Sequence, residues 1–302
     1  MNFLVLDIGG QAIKYALMNE KTQFIEKGNV PTPADTIENF IETIGTIFDK
    51  YRDKIEGIAM SMPGRIDSDR GYLYTGGALV YNDNKEMATL VQQRCPVPIT
   101  IENDGKCAAL AETWLGNLKN FDDAIVIVIG TGIGGGIIKD KKLLKGKHFI
   151  AGEFSLIQTN LNDYTDKHLG MWATQSGTPA LCTSVAKIKH LPQENVNGYK
   201  VFELAKSGDK EVLDVINDYC YKIALQLYNL QHIYDPEKFA IGGGISKQDI
   251  LIEYIQKNID KCADEIPYII KPEIIRCKFY NDSNLIGALY TYLTRYNYST
   301  DF

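Results

Sequence analysis

None of the six cysteines stands in a C-x-x-C or C-x-C pair, which argues against a disulfide framework or a cysteine zinc site and for reduced thiols in a cytoplasmic protein. No block of lysine and arginine interrupts the chain, and 32 basic against 38 acidic residues leave a net charge of −6. Such a surface repels phosphate backbones and anionic lipid, so neither nucleic acid nor a membrane is expected as a partner. The longest smooth apolar run, Ala124 to Ile129, is far too short to span a bilayer. Asp7 cuts the apolar start MNFLVLDIGG, which lacks the basic region of a signal peptide. Repeats at short period are missing too, which excludes a solenoid or collagen-like chain. The four histidines, His148, His168, His190 and His232, have no H-x-x-x-H spacing and no cysteine cluster beside them. Metal ligation and a Ser-His-Asp triad therefore have little to build on, although His148 lies near Glu153.

What the sequence does hold is 302 residues with 45% apolar and 23% charged content, enough for a large buried core divided between two domains. Strands are expected at Phe3–Asp7, Lys14–Met18 and Gln23–Val30, with Gly9-Gly10 turning between the first two. Asp35 and Glu38 resemble a capping box. Ile37, Phe40, Ile41, Ile44, Ile47, Phe48 and Tyr51 then recur at helical spacing. A strand at Ile55–Met60, the turn Pro63-Gly64, a helix near Lys85–Arg94, a strand at Ile99–Glu102 and a helix Gly105–Leu115 complete the first half. From Ala124 the same grammar restarts with a strand, the glycine turn GTGIGGG and a returning strand. A long helix near 211–234 follows, in which Tyr219, Tyr221 and Tyr228 read as packing residues, and then alternating strands and helices. Two related α/β domains facing one another across a ligand cleft are expected. Their boundary falls at Gly116–Asp122, and the last helix, Leu285–Tyr296, returns to the first domain. The division is thus 1–116 plus 285–302, and 117–284.

Several stretches have the residue types that chemistry requires. Asp7-Ile8-Gly9-Gly10 sets a carboxylate at a strand end before a backbone without Cβ atoms, where a phosphate can approach the amides; a plain glycine hairpin fits as well. Gly130-Thr131-Gly132-Ile133-Gly134-Gly135-Gly136 follows a buried strand with more glycines than one turn type demands. It reads as an anion-holding nest with the Thr131 hydroxyl, or as a bulged hairpin. Because a strand and not a helix follows, it is no Rossmann fingerprint. Glu102-Asn103-Asp104 closes a strand and opens a helix. Asn103 or Asp104 is a natural N-cap, and equally a carboxylate able to accept a hydroxyl proton, with Asn103 orienting that hydroxyl. Phosphoryl transfer needs such a base together with position and charge neutralisation. Glu153 is an acid among apolar neighbours, either a solvated loop charge or an acceptor for sugar hydroxyls. Ala240-Ile241-Gly242-Gly243-Gly244-Ile245-Ser246 ends a buried strand with bare backbone, against which adenine could lie, or it is a simple strand-to-helix turn.

Taken together in order, DIGG at 7–10, MPGRID at 62–67, TGGA at 75–78, ENDGKCAALAE at 102–112, GTGIGGGI at 130–137, AGEF at 151–154, AIGGGIS at 240–246 and NLIGAL at 284–289 resemble the ROK family of bacterial sugar kinases. The resemblance covers nearly the whole chain. It implies an α/β fold of two actin-like, ribonuclease H-like domains with a cleft between them. It implies Asp104 as the base that deprotonates a sugar 6-hydroxyl, and a sugar held by Gly64, Gly76, Gly77, Ala78, Asn103 and Glu153. ATP phosphates would lie on Gly9, Gly10, Gln11, Thr131, Gly132 and Gly134, with the adenosine against Gly243 and Gly244. Asp7 would assist Mg²⁺ through water, and a homodimer is implied.

Departures from the family pattern sharpen the expectation. Gln11 stands where a threonine is usual, Leu156 replaces the histidine of G-E-x-G-H, and DKHLGMWATQSG at 166–177 replaces the zinc cysteines, so no zinc is expected. The glutamate that often follows those cysteines is lost as well. This pattern is similar to the zinc-less branch that includes β-glucoside kinases. An apolar rim of Leu156 and Trp172, the latter stacking on a second ring, would suit a glycoside. Glucokinase or N-acetylmannosamine kinase specificity is one alternative; a non-catalytic sugar-binding or regulatory protein is another. The regulator reading is disfavoured because ROK repressors carry an N-terminal helix-turn-helix, whereas here a strand begins at Phe3.

Overall fold

The computed structural model describes residues 1–160, 168–265 and 268–300; positions 166 and 167 of the segment replacing the zinc cysteines lie outside them. In chain order the elements are β1 (Asn2–Ile8), β2 (Ala12–Asn19), β3 (Phe24–Pro31), α1 (Ile37–Asp49), β4 (Ile58–Met62), β5 (Ile66–Asp67), β6 (Tyr72–Leu73), α2 (Met87–Arg94), β7 (Ile99–Asn103) and α3 (Asp104–Trp114). Then come β8 (Ala124–Ile129), β9 (Ile133–Lys139), β10 (Lys142–Leu143), α4 (Trp172–Ser176), α5 (Thr178–Ile188), α6 (Gly198–Lys206), α7 (Lys210–Tyr234), β11 (Lys238–Gly242), α8 (Asp249–Glu265), β12 (Ile274–Arg276) and α9 (Ser283–Arg295). Among the described residues no helix is long and apolar enough to cross a membrane.

The chain divides into two compact units. The first comprises Met1–Trp114, Lys142–Ala151 and the chain from Asp282 onward; the second comprises Leu115–Lys141 and Gly152–Asn281. Lys142–Ala151, which the sequence pattern assigns to the second half, joins the first unit through two lysines. Lys106 Nζ donates to the Phe149 carbonyl at 2.7 Å, and Lys145 Nζ lies 3.6 Å from the Glu102 carboxylate.

In the first unit the strand order is β3-β2-β1-β4-β7, with β1 antiparallel to β2 and parallel to β4, and β4 parallel to β7. Strands β1 and β4 are almost wholly buried, as expected of parallel strands covered on both faces. Phe40, Ile44, Ile47 and Phe48 of α1 share one core with Leu4, Leu6, Ile58 and Met60. The cap of α1 is Thr36, whose hydroxyl accepts from Asn39 N at 3.2 Å, and not the Asp35/Glu38 pair; Asp35 binds the Asn39 side chain instead. Helix α9 packs on α3, β4, β1 and β7. At its crossing with α3 the backbones nearly touch: a Cβ on Gly287 would sit 1.8 Å from the Cys107 carbonyl oxygen. β4 begins at Ile58 and not at Ile55, because Arg52–Lys54 form a 3-10 turn after α1.

The second sheet repeats the plan, in the order β10-β9-β8-β11-β12, with β8 antiparallel to β9 and parallel to β11, and β11 parallel to β12. Both units are therefore α/β, each opening with a hairpin and continuing with parallel strands. Register Ile129↔Ile133 leaves only Gly130–Gly132 as the hairpin turn. Gly134, Gly135 and Gly136 lie inside β9, where the pattern of glycines had pointed to a longer loop. Gly135 explains part of this, since a Cβ there would meet the Val126 carbonyl at 1.9 Å and the Phe154 ring at 2.9 Å. Asp209 caps α7 by accepting from Val212 N, and the helix stops at Asp235 in the left-handed region. Tyr219 and Tyr228 are buried in its packing face, with their hydroxyls donated to the carbonyls of Ser176 and Ile259.

Candidate active site

In the first unit the chain turns at Gly9-Gly10, where Gly9 N donates to the Ala12 carbonyl and Thr32 Oγ1 donates to the Gly9 carbonyl at 2.6 Å. Gly10 and Gln11 are exposed at the tip. Asp7, near the end of β1, is 5% exposed. Its Oδ1 accepts from Ser61 Oγ at 3.2 Å and from Asn284 Nδ2 at 2.9 Å, and its Oδ2 lies 3.2 Å from the Lys14 ammonium opposite it on β2. Ser61, Lys14 and Asn284 were not expected from sequence as its partners. Asn284 is separated from Asp7 by 277 residues, and only its place in NLIGAL marked it.

The acid stands at the junction of β7 and α3. Asn103, last residue of β7, accepts from Lys106 N through Oδ1 and so caps α3; through Nδ2 it donates to the Gly64 carbonyl at 3.0 Å. One amide hydrogen and one lone pair of Asn103 lie outside these two bonds. Asp104 is half-buried, and its Oδ1 accepts from Gly105 N at 2.8 Å. A carboxylate at this end of a helix faces the positive pole of the peptide dipoles. Glu102 is buried, accepts from Asn103 N and faces Lys145. Burial pushes the Cys107 thiol far up, and the neighbouring Glu102 and Asp104 carboxylates push in the same direction.

Gly64 and Gly77 both have positive φ, at 103° and 62°. A Cβ on Gly64 would lie 2.0 Å from the Thr75 carbonyl oxygen, so Pro63-Gly64 is pressed onto the Thr75–Ala78 loop. Gly76 N donates to Asp83 Oδ1 at 2.6 Å, and a Cβ on Gly10 would be 3.6 Å from that of Ala78. The structure thus brings Gly10, Gly64, Gly76, Gly77, Ala78 and Asn103 into one neighbourhood of the first unit.

In the second unit a pocket of about 620 Å³ is lined by Gly130, Thr131, Thr178, Asn197, Gly198, Tyr199, Gly244, Ile245 and Lys247, among others. Its size suits a nucleoside-sized ligand. It unites two residues expected at the nucleotide, Thr131 and Gly244. Gly243 lies beside it with φ 92°, where a Cβ would strike the Ile129 carbonyl at 2.1 Å. Gly132 and Gly134 do not line it. Asn197 caps α6 by accepting from Lys200 N. Neither Asn197 nor Thr178 carried a functional signal in the sequence.

Glu153 is half-buried just before the short turn Phe154–Leu156. Ser155 pins that turn to the β8–β9 hairpin, accepting from Ile133 N and donating to the Ile133 carbonyl. Leu156 is 58% exposed, consistent with a place on a rim. Trp172 is not: it is 0% exposed, edge-on to Phe154 at 6.1 Å, in the core of the second unit. The expectation that its ring stacks on a second sugar is therefore corrected. An indole following apolar and small residues reads equally as rim or core, and packing decided for the core.

Among the described residues no three His, Cys, Asp or Glu side chains gather as a metal site. Asp7 nevertheless fits a magnesium ion carried in by nucleotide phosphates. With Oδ1 taken by Ser61 and Asn284 and Oδ2 facing Lys14, the one lone pair left on Oδ2 suits a metal-bound water better than the metal itself.

Hairpin-led α/β units, a glycine turn beside a buried aspartate and an acid at a strand–helix junction define the class, a protein of the actin-like ATPase fold. The chain belongs to the ROK family, whose profile matches residues 3–295. It is 28% identical to the β-glucoside kinase of Klebsiella pneumoniae over 303 residues, covering 100% of this chain and 99% of that protein. Among solved structures it is similar to the Lmo2764 protein of Listeria monocytogenes, with a TM-score of 0.89, 27% identity, and 98% and 100% of the two chains covered. A ROK family protein of Streptococcus pneumoniae in complex with sucrose gives 0.87 and 26%, with 98% and 99% covered.

Proposed function

We propose that this protein transfers the γ-phosphoryl group of ATP to the 6-hydroxyl of a glucose ring carried as a β-glucoside. That it is a sugar kinase rests on its family and on full-length relatives named as kinases; donor, hydroxyl and base are our reading. The observation that carries it is the Asn103-Asp104 junction. There a half-buried carboxylate opens α3 while the adjacent amide holds the Gly64 loop.

In this reading Asp104 accepts the proton of the 6-hydroxyl as its oxygen bonds to the γ-phosphorus. The bond from that phosphorus to the β,γ-bridging oxygen breaks, and ADP leaves. Asn103 and the turns at Gly64 and at Gly76–Ala78 orient the sugar, and the exposed backbone at Gly10-Gln11 faces phosphate oxygens. When bound, magnesium supplies charge neutralisation on those phosphates, with Asp7 holding it through a water. The pocket at Thr131 and Gly244 takes the nucleoside. A cytoplasmic homodimer is the setting we assume, checked by fractionation and light scattering.

A coupled ADP-release assay over glucose, mannose, N-acetylmannosamine, fructose and cellobiose tests the reading. Cellobiose is expected to be the best substrate; much more efficient turnover of glucose or N-acetylmannosamine would reject the glycoside assignment. No ADP release with any sugar would reject the kinase reading.

A further inference from the structure

Next to the Asn103–Gly64 hydrogen bond, the first unit presents a wall of one cation and two aromatic rings that the mechanism leaves unused. Arg65 follows Gly64 directly. Its guanidinium carbon stands 4.4 Å from the centroid of Tyr74, and Tyr74 stacks on Phe149 at 6.0 Å with 25° between the planes. The backbone fixes this arrangement, since Arg65 N donates to Thr75 Oγ1 and Tyr74 N donates to the Arg65 carbonyl.

Two independent features set this wall apart from ordinary surface. Among the described residues Arg65 Nε is buried without a hydrogen-bond partner, and no carboxylate pairs with the guanidinium. Its Nη atoms, neither buried nor hydrogen-bonded among the described residues, are the charged donors that an arriving oxygen acceptor can reach. Phe149 has φ +60°, a conformation that costs a bulky residue free energy. It is held there by the ammonium of Lys106, 1% exposed and two residues after Asp104, which donates to its carbonyl at 2.7 Å. Strain maintained by a buried lysine on the catalytic helix, together with an unanswered guanidinium, is the combination expected where a ligand completes the structure. Arg65, Tyr74 and Phe149 are all partly exposed.

We propose that Arg65, Tyr74 and Phe149 form the subsite for the part of the substrate beyond the phosphorylated ring, a second sugar joined through the anomeric oxygen. The C–H face of that ring lies on the aromatic wall, and Arg65 donates to its oxygens. This deepens the β-glucoside reading and rests on it.

Isothermal titration calorimetry with glucose and with cellobiose, on the wild-type chain and on Arg65→Gln and Phe149→Ala, tests the subsite without any need for turnover. Wild type is expected to bind cellobiose at least tenfold tighter than glucose. Each variant is expected to lose most of that advantage while its glucose affinity changes less than threefold. If both sugars weaken alike, or if the cellobiose advantage survives Arg65→Gln, a substitution at a partly exposed side chain that the fold tolerates, the subsite is overturned. Wild-type protein that binds cellobiose tightly yet releases no ADP would sink the kinase reading alone. Protein that phosphorylates glucose but binds cellobiose no better would sink the subsite alone.

Discussion

At the scale of single residues, the base role proposed for Asp104 can be tested apart from sugar binding. Asp104→Asn preserves the size and the Gly105 contact while removing the basic oxygen. Turnover should fall by about 10²- to 10⁴-fold, while calorimetric sugar affinity stays within a few-fold; undiminished turnover would refute the base assignment. The thiols give a second test. All six cysteines are buried. Burial raises the Cys95 thiol to about 11 and pushes Cys107 and Cys220 up as well. At pH 8 the reactive thiolate is therefore scarce, and Ellman's reagent should titrate fewer than one thiol per native chain and all six after denaturation. Rapid labelling of several thiols in the native state would contradict the buried placement. Asn103, Asp104 and Gly64 stand out as candidates in the sequence because each sits in a short local motif. Lys106 holding Phe149 and Asn284 holding Asp7 were not, since such contacts join distant stretches that no local pattern relates.

Among the elements, the α3–α9 crossing depends on Gly287. Gly287→Ala places a methyl against the Cys107 backbone carbonyl, which cannot swing aside as a side chain can. A loss of about 1–3 kcal/mol is expected from such overpacking; an unchanged urea midpoint would show that the helices separate freely. Helices α1 and α2 are tied by Arg94, which binds Glu42 and Asp49. Hydrogen bonds from Arg94 and then Arg52 draw the Asp49 carboxyl down to about 2. Because the folded value is depressed, the stabilisation is fully present above the ordinary carboxylate value of about 3.9 and is lost as pH falls toward 2. Arg94→Ala should return Asp49 toward its ordinary value in an NMR titration, and an unmoved midpoint would show that the ion pair has no effect in solution. The sequence placed α1 correctly from its apolar spacing but misjudged its cap, because Asp35, Thr36 and Glu38 all fit an N-terminus and only backbone geometry selects one.

For the whole molecule, ligand binding should appear as stability. Nucleotide at 100 times its dissociation constant adds about 2.7 kcal/mol, so a non-hydrolysable ATP analogue should raise the melting temperature measurably. Gly244 tests where it binds: a Cβ there meets nothing within 4 Å, yet the residue lines the pocket. Gly244→Val should fold normally and lose the thermal shift, whereas a retained shift would move the nucleotide elsewhere. Composition, alternating strands and helices, glycine-rich turns and the order of eight motifs sufficed to determine an α/β architecture, a hairpin opening in each half and the position of the acid, because these are encoded in local spacing and backbone tolerance. Tertiary structure alone decided that Trp172 is core, that Gly134–Gly136 belong to a strand, that Lys142–Ala151 packs with the first unit and that Arg65 meets Tyr74, which in turn stacks on Phe149. Burial and partnership at those positions depend on which surfaces meet in three dimensions, and residues far apart in the chain carry no local mark of that meeting.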